Sequence, residues 1–328
     1  MPWVKAREAA AHFGCSIRNL SHMANDGRLE ARRTTHGHHE YLISGATESP
    51  SAPLEAATPI GDDRDALETL AARVRQEAPR EPARAESGGA ELGCWVSDVH
   101  VPDHDVRATS AWLDWLEHAQ PGCIVLGGDI AELESCSQHG GIAHPASLLE
   151  DCEAVEGFLR GVRKRAPDAE IVYIGGNHED RLRRIAVAQA PTLSGAMDLP
   201  SLLRLDEIGI SYVPYPSSYD RADIRFHHGR YHCIHHAKKH LEDEHHQWRH
   251  VVYGHTHRPQ TYTVGLRGGR TVTAWGAGCL RTLEPQWRLG KAGWAHGFIT
   301  WETVAGESTL SQVLMSDRRF VWRGRRFG

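Results

Sequence analysis

Three short apolar runs, each cut off by glycine or a polar residue, punctuate the middle of the chain. Cys94-Trp95-Val96-Ser97 runs into Asp98, Cys123-Ile124-Val125-Leu126 into Gly127-Gly128-Asp129, and Ile171-Val172-Tyr173-Ile174 into Gly175-Gly176-Asn177-His178. Runs of this length, bounded this way, read as buried strands. Between them the apolar spacing turns helical, around Val106–Ala119 with Leu113 and Leu116 facing inward, and over Leu148–Arg165. Beyond Ile210 the pattern is mostly strands, at 224–228, 251–253, 261–264 and 271–275. This predicts an α/β fold over residues 92–328, with two mixed β-sheets packed as a sandwich and helices flanking them.

The first 45 residues follow a different rhythm. Residues 5–13 are alanine-rich, with Ala6, Ala9, Ala10 and Phe13 at helical spacing. Gly14-Cys15 makes a turn, and Ser16 caps a second helix carrying Ile17, Leu20, Met23 and Ala24. Asp26-Gly27 ends that helix, and segments 29–33 and 40–43 flank a Thr-Thr-His-Gly-His turn, which predicts a two-stranded wing. Helix, turn, helix and ribbon make a winged helix-turn-helix, and the stretch resembles small DNA-binding domains of the MerR and excisionase type. The resemblance implies a duplex-binding face with Arg18, Asn19, Ser21 and His22 on the second helix and Arg32 and Arg33 entering the wing. A winged helix that docks on protein is the alternative. Residues 46–91 are rich in Pro, Ser, Gly, Ala and Glu, have helical character only over 62–77, and read as a flexible linker.

A chain of 328 residues has room for one large domain and a small one. The net charge of −5 gives no whole-chain reason to bind nucleic acid, although residues 1–45 carry six Lys/Arg against four Asp/Glu. The seven cysteines are scattered without a C-x-x-C pair, which points to reduced, buried thiols and excludes a disulfide scaffold or a zinc ribbon. No signal-peptide core opens the chain and no apolar run nears the ~18 residues of a membrane span. A cytoplasmic protein with no membrane partner is expected. Histidine is the abnormal count, with 23 in all and eleven of them within 227–257. Neutral imidazole is the commonest metal ligand. His235, His236, His240, His245 and His246 nevertheless sit in a polar, helix-like segment and are expected on the surface.

The strand ends collect the chemistry. In Asp98-x-His100 and His255-x-His257 the paired side chains share a side, as strand residues two apart do. Asp129 follows two glycines, Asn177-His178-Glu179-Asp180 follows another two, and His228 precedes Gly229. Oxygen from Asp and Asn plus imidazole nitrogen, with no thiolate, suits Mn, Fe or Zn without selecting among them. The ordered series D-x-H, G-G-D, G-N-H-E, H-G and G-H-x-H resembles the calcineurin-like metallophosphoesterases over residues 92–315. Trp275-Gly276-Ala277-Gly278-Cys279 and Trp294-Ala295-His296-Gly297-Phe298 are similar to stretches of that family's phage and bacterial branch.

The resemblance implies a four-layer fold and a dinuclear centre of transition-metal ions. It assigns one ion to Asp98, His100 and His257 and the other to Asn177, His228 and His255, with Asp129 bridging. The glycine after His228 favours it over His227. His178 is then no ligand, and protonates the leaving oxygen or binds the phosphoryl group. Relatives orient this histidine with a carboxylate in a G-D-x-x-D pattern, for which Glu132 is a longer stand-in here. Leu133 and Gly175 stand where the protein Ser/Thr phosphatases of the superfamily carry arginine, which counts against a phosphoprotein substrate. Arg181 is placed to reach a substrate phosphate, or else to pair with Asp180 or Glu179 in a first helical turn. The arginines at 318, 319, 323, 325 and 326 surround strand-like Phe320-Val321-Trp322 and read as a closing hairpin with solvated charges. The implied activity is metal-dependent hydrolysis of a phosphate ester, by a phosphodiesterase or nuclease that residues 1–45 direct to DNA. The alternatives are a phosphomonoesterase on small molecules or proteins with a regulatory N-terminal module, and a non-enzymatic DNA-binding regulator on a hydrolase scaffold.

Overall fold

The structure, a computed structural model, describes residues 3–5, 9, 31–33, 39–42, 89–137, 147–189, 198–284 and 293–328. The chain divides into two compact units, Met1–Ala83 and Arg84–Gly328. In the first unit, β1 (Trp3–Lys5), β2 (Ala31–Arg33) and β3 (His39–Leu42) form an antiparallel sheet in the order β1-β3-β2. The antiparallel β2–β3 pair lies at the two segments expected to flank the turn, with Ala31 opposite Tyr41 and Arg33 opposite His39. Strand β1 is an addition, three residues too short to carry a readable period, and it pairs along β3 with Val4 opposite Tyr41. Arg18, Asn19, His22, the bodies of the two expected helices and the 62–77 segment lie outside the described residues.

The second unit begins with β4 (Glu91–Val96), α1 (Val106–Ala119), β5 (Cys123–Leu126), α2 (Leu148–Arg165), β6 (Glu170–Ile174) and α3 (Glu179–Gln189). Two single turns, α4 (Leu199–Leu202) and α5 (Leu205–Ile208), lead to β7 (Ile210–Val213), β8 (Ser218–Arg221), β9 (Ile224–His227) and α6 (His236–Asp243). Then come β10 (His250–Tyr253), β11 (Gln260–Gly265), β12 (Thr271–Gly276), β13 (Gly297–Val304), β14 (Glu307–Leu314), β15 (Phe320–Trp322) and β16 (Arg325–Phe327). One sheet runs β14-β13-β4-β5-β6-β7 and the other β11-β12-β10-β9-β8. Both are mixed. β4 to β7 are parallel while β13 is antiparallel to β4. β9, β10 and β12 are parallel between antiparallel edges.

The side-chain period of two sorts the core into layers. Cys94, Val96, Ile124, Leu126, Ile171 and Tyr173 face α1 and α2, whose Trp112, Trp115, Val155, Leu159 and Val162 are buried against them. The alternate residues Trp95, Val125, Val172 and Ile174 meet Ile224, Phe226 and Val252 of the second sheet. Trp95 stacks on Phe226 with ring centroids 5.7 Å apart. Ala237 and Leu241 of α6 cover Val251, Tyr253, Val272 and Ala274 on that sheet's outer face. The order is therefore helix, sheet, sheet, helix. Because β4, β5 and β6 are covered on both faces, they are continuous apolar runs and not alternating ones.

Helix α1 starts at Asp105, whose carboxylate accepts from the Ala108 amide at 3.0 Å, and α2 starts at a capping box of Ser147 and Glu150. The C-terminal hairpin closes over α1, with Phe320 and Phe327 buried and Arg323, Arg325 and Arg326 exposed. Two expectations of burial fail, and the first is Cys233, which is exposed where buried thiols were expected. His236 and His240 are not surface residues but are buried, because they share the inward stripe of α6 with Ala237 and Leu241. No described helix is long and apolar enough to cross a membrane.

Candidate metal centre

Five loops converge where parallel strands end. Those after β4, β5 and β6 come from one sheet, and those after β9 and β10 from the other. Ligands gathered at carboxyl ends of parallel strands are the usual solution in open α/β sheets, since the loops there are free to vary while the strands fix their roots. The first two loops stay in register past the strands, with the amides of Asp98, His100 and Val101 donating to Gly128 O, Asp129 O and Ile130 O at 2.9, 2.9 and 2.7 Å. The last two are tied by the Gly254 amide donating to His228 O at 2.9 Å.

The paired motifs do not work by strand pleating. β4 ends at Val96 and β10 at Tyr253, so Asp98, His100, His255 and His257 lie beyond them. All four, and Asp129, have left-handed φ values between 49° and 69°. Non-glycine residues are sparse in that region, and such strain concentrates at functional sites. Small residues make the room. A Cβ on Gly254 would meet Asp98 Oδ2 at 2.4 Å, and one on Gly176 would meet Asp129 Oδ1 at 2.2 Å.

Donor atoms fall into groups. Asp98, His100 and His257 form one, with His257 Nε2 3.2 Å from Asp98 Oδ1 and 3.1 Å from His100 Nε2. Asp129, His228 and His255 form another, with His228 Nε2 3.2 Å from Asp129 Oδ2 and 3.1 Å from Asn177 Oδ1. Asp129 Oδ2 reaches toward both groups, at 4.0 Å from His100 Nε2. A third group, His100, Glu132 and His178, also meets the spacing. There the Glu132 carboxylate already receives Arg281, so that group is a hydrogen-bond network. His227 points elsewhere, its ring packed on His240 and Tyr253.

Two of the rings, His100 and His255, are held in the neutral form that a cation needs, and His228 must release a proton to one. Burial, then the neighbouring His178 and His257, hold His100 well below the usual imidazole range. Burial and His228 bring His255 down to about 4. Neutral imidazole is the ligating form. Despite burial, His257 lowers the Asp98 carboxyl, and His228 and His178 lower Asp129 well below its ordinary value. Asp129 in turn, against the pull of burial, raises His228 to about 10. His100 Nδ1 is held by Glu132 at 2.6 Å and His228 Nδ1 donates to Gly127 O at 2.9 Å, which turns both Nε2 atoms inward. His255 Nδ1 is buried with no hydrogen-bond partner among the described residues. Two carboxylates, converging imidazole nitrogens and the unpartnered Nδ1 of His255 fit divalent cations.

Glu132 takes a role other than the expected one. Its carboxylate binds the ring of His100 and accepts from Arg281 Nη1 at 2.5 Å. Its backbone carbonyl, at 2.9 Å, is what receives His178 Nδ1, and the carboxylate is 3.5 Å from that ring. The longer side chain overshoots His178 and reaches the deeper histidine. Arg181, in the first turn of α3, donates to Glu132 O at 2.9 Å and lies 3.0 Å from His178 Nε2. It does not pair with Asp180, which receives Arg183 and Arg184 instead.

Two residues around the centre carry roles that the sequence did not assign. Glu179 is buried and accepts from the amides of Asp129, Ile130, Ala131 and Gly176 and from Tyr173 Oη, at 2.6 to 3.0 Å. It latches the β5 loop to the β6 loop. Arg281 is buried between Glu132 and Asp103, the second contact being 3.0 Å. Glu179 is legible inside G-N-H-E, whereas nothing near Arg281 marks it as part of the centre.

No family model matches the chain, and no curated protein matches it. Among solved structures it is similar to Vps29 from Cryptosporidium parvum, at 12% identity and TM-score 0.38, over 69% of this chain and 98% of that one. A metallophosphoesterase from Sphaerobacter thermophilus aligns at 16% identity and TM-score 0.38, over 69% and 88%. Zinc-bound Vps29 from Entamoeba histolytica aligns at 14% and 0.35, over 68% and 98%.

Proposed function

We propose that the unit Arg84–Gly328 is a metal-dependent phosphoesterase with a dinuclear centre. The observation that carries this is the Asp129 carboxylate, placed between two separate donor groups that each hold imidazoles with converging ring nitrogens. Asp98, His100 and His257 would hold one ion, Asn177, His228 and His255 the other, and Asp129 both. When bound, such a pair supplies Lewis-acid polarisation of phosphoryl oxygens and activates water for in-line attack. The chain supplies the rest. His178 and Arg181 are the partly exposed groups at the rim, and their Nε2 and Nη2 atoms lie together, 3.0 Å apart. They are placed to bind a phosphoryl oxygen, with His178 handing a proton to the leaving oxygen. Glu132 and Arg281 hold His100 in orientation, and Glu179 fixes the two loops that carry Asp129 and Asn177.

The test is a substrate panel on metal-replete protein, comparing bis-aryl phosphate, mono-aryl phosphate, and single- and double-stranded DNA, with elemental analysis of bound metal. Close to two transition-metal ions per chain and activity lost to a strong chelator are expected. Full activity without metal would end the reading. Faster cleavage of the diester than of the monoester would favour a phosphodiesterase or nuclease over the phosphomonoesterase alternative.

A further inference from the structure

His232 contributes to neither donor group, yet it makes the closest contact of any ring to His255. Their Nε2 atoms are 2.7 Å apart and their ring centroids 4.1 Å. The chain brings it there by turning at Gly229, whose φ is 104° and where an added Cβ would meet Gly254 O and His255 Cβ at 3.3 Å. Three residues later His232 stands on the solvent side of His255.

We infer that His232 is a positioning residue that fixes the tautomer of His255. A nitrogen pair at this distance needs one proton between its members. If His255 carried its proton on Nδ1, that N–H would be buried without an acceptor, since Nδ1 has no partner among the described residues. With the proton on Nε2, the His232 lone pair receives it, and the buried Nδ1 of His255, a member of the donor group with Asp129 and His228, is left as a bare lone pair. The backbone completes the clamp, because the His255 amide donates to both Asp98 carboxylate oxygens at 2.9 Å. His255 is thus held from two sides, by Asp98 through its main chain and by His232 through its ring. Outer hydrogen-bond partners of this kind set ligand tautomer and typically change metal affinity ~10–100-fold when removed. Of the four proposed ligand histidines, His257 has no hydrogen-bond partner at Nδ1 among the described residues, and the other three take theirs from different parts of the fold. His100 uses Glu132 and His228 uses Gly127 O, while His255 uses an exposed histidine from its own rim.

The inference rests on the dinuclear reading for its consequence but not for its geometry, and the experiment separates the two. Long-range ¹H–¹⁵N correlation spectra of histidine-labelled, metal-free, full-length protein at mildly alkaline pH report ring tautomers directly. The His255 signals are identified by their loss in His255→Gln. Wild type is expected to show His255 protonated on Nε2, His232→Ala to show loss of that preference, and His232→Gln, whose amide oxygen can accept, to restore it. In parallel, calorimetric titration with Zn²⁺ is expected to show the second equivalent weakened ~10–100-fold in His232→Ala, the first unchanged, and recovery in His232→Gln. An Nδ1-protonated His255 in wild type, or an unaltered tautomer in His232→Ala, overturns the inference. A tautomer that responds in a protein binding no Zn²⁺ keeps the inference and overturns the dinuclear reading.

Discussion

At the residue scale, five donor residues sit at left-handed φ, a conformation that costs ~1–3 kcal/mol at a non-glycine position. Asp98, His100, Asp129, His255 and His257 hold it because the surrounding amides and carbonyls are bonded across loops. Of the polar residues around them, His178 is the one whose removal separates chemistry from binding. Its Nδ1 is committed to Glu132 O, and its Nε2 faces Arg181 at the rim. His178→Ala should therefore lower the rate by ~10²–10⁴-fold while leaving metal content intact. Paired aryl phosphates with good and poor leaving groups distinguish its two roles. A defect that shrinks with the good leaving group marks the proton donor, and equal defects mark phosphoryl positioning. Loss of metal in this variant would show that His178 is a ligand after all.

At the element scale, the site is assembled by ties between loops, and Glu179 makes the densest of them. It sits in the first turn of α3 and gathers donors from the ends of both β5 and β6. Burial and the Asp129 carboxylate push its carboxyl above the ordinary range, against the pull of those N–H groups. Glu179→Gln keeps the volume but turns an NH₂ toward backbone donors. At least one buried amide then loses its acceptor, which costs ~1–3 kcal/mol. A unit of this size should lose roughly 2–10 °C of Tm. Calorimetry of metal-free protein isolates the effect from ligand loss, and an unchanged Tm would mean the latch is not needed.

At the scale of the whole molecule, the chemistry and the N-terminal unit are expected to separate. The division at Ala83 and Arg84 leaves every proposed ligand and positioning residue in the second unit. Protein starting near Arg84 should fold and hydrolyse a small aryl phosphate at nearly the full-length rate. The proposal for the first unit is duplex binding. If it docks on DNA, full-length protein should bind labelled duplex with an affinity that falls steeply with salt, since phosphate contacts release counterions. Arg18→Ala or Arg32→Ala should weaken that binding by about 1 kcal/mol or more. Fluorescence anisotropy at two salt concentrations, on full-length and shortened protein, decides it. Equal affinities for the two forms would remove DNA delivery and leave the regulatory alternative.

What the sequence determined by itself is the set of strand ends and the donors they carry. Strands buried on both faces cannot hide their composition, so β4, β5 and β6 stand out, and the glycines and donors after them mark the site. Local spacing also sufficed for α1 and α2, whose caps lie in the chain beside them. Only the tertiary structure decided which partner each group meets. Glu132 was legible as a carboxylate near the site, but its choice of His100 over His178 depends on a side-chain length measured across loops. Arg281 and His232 were silent because their partners lie 149 and 23 residues away, where periodicity carries no information. His236 and His240 looked solvated by composition, and only the packing of α6 on β10 and β12 put imidazoles on its buried stripe. A sequence fixes what each residue can donate or accept. The fold fixes the distance, and at 2.6 Å against 3.5 Å distance settles which bond forms.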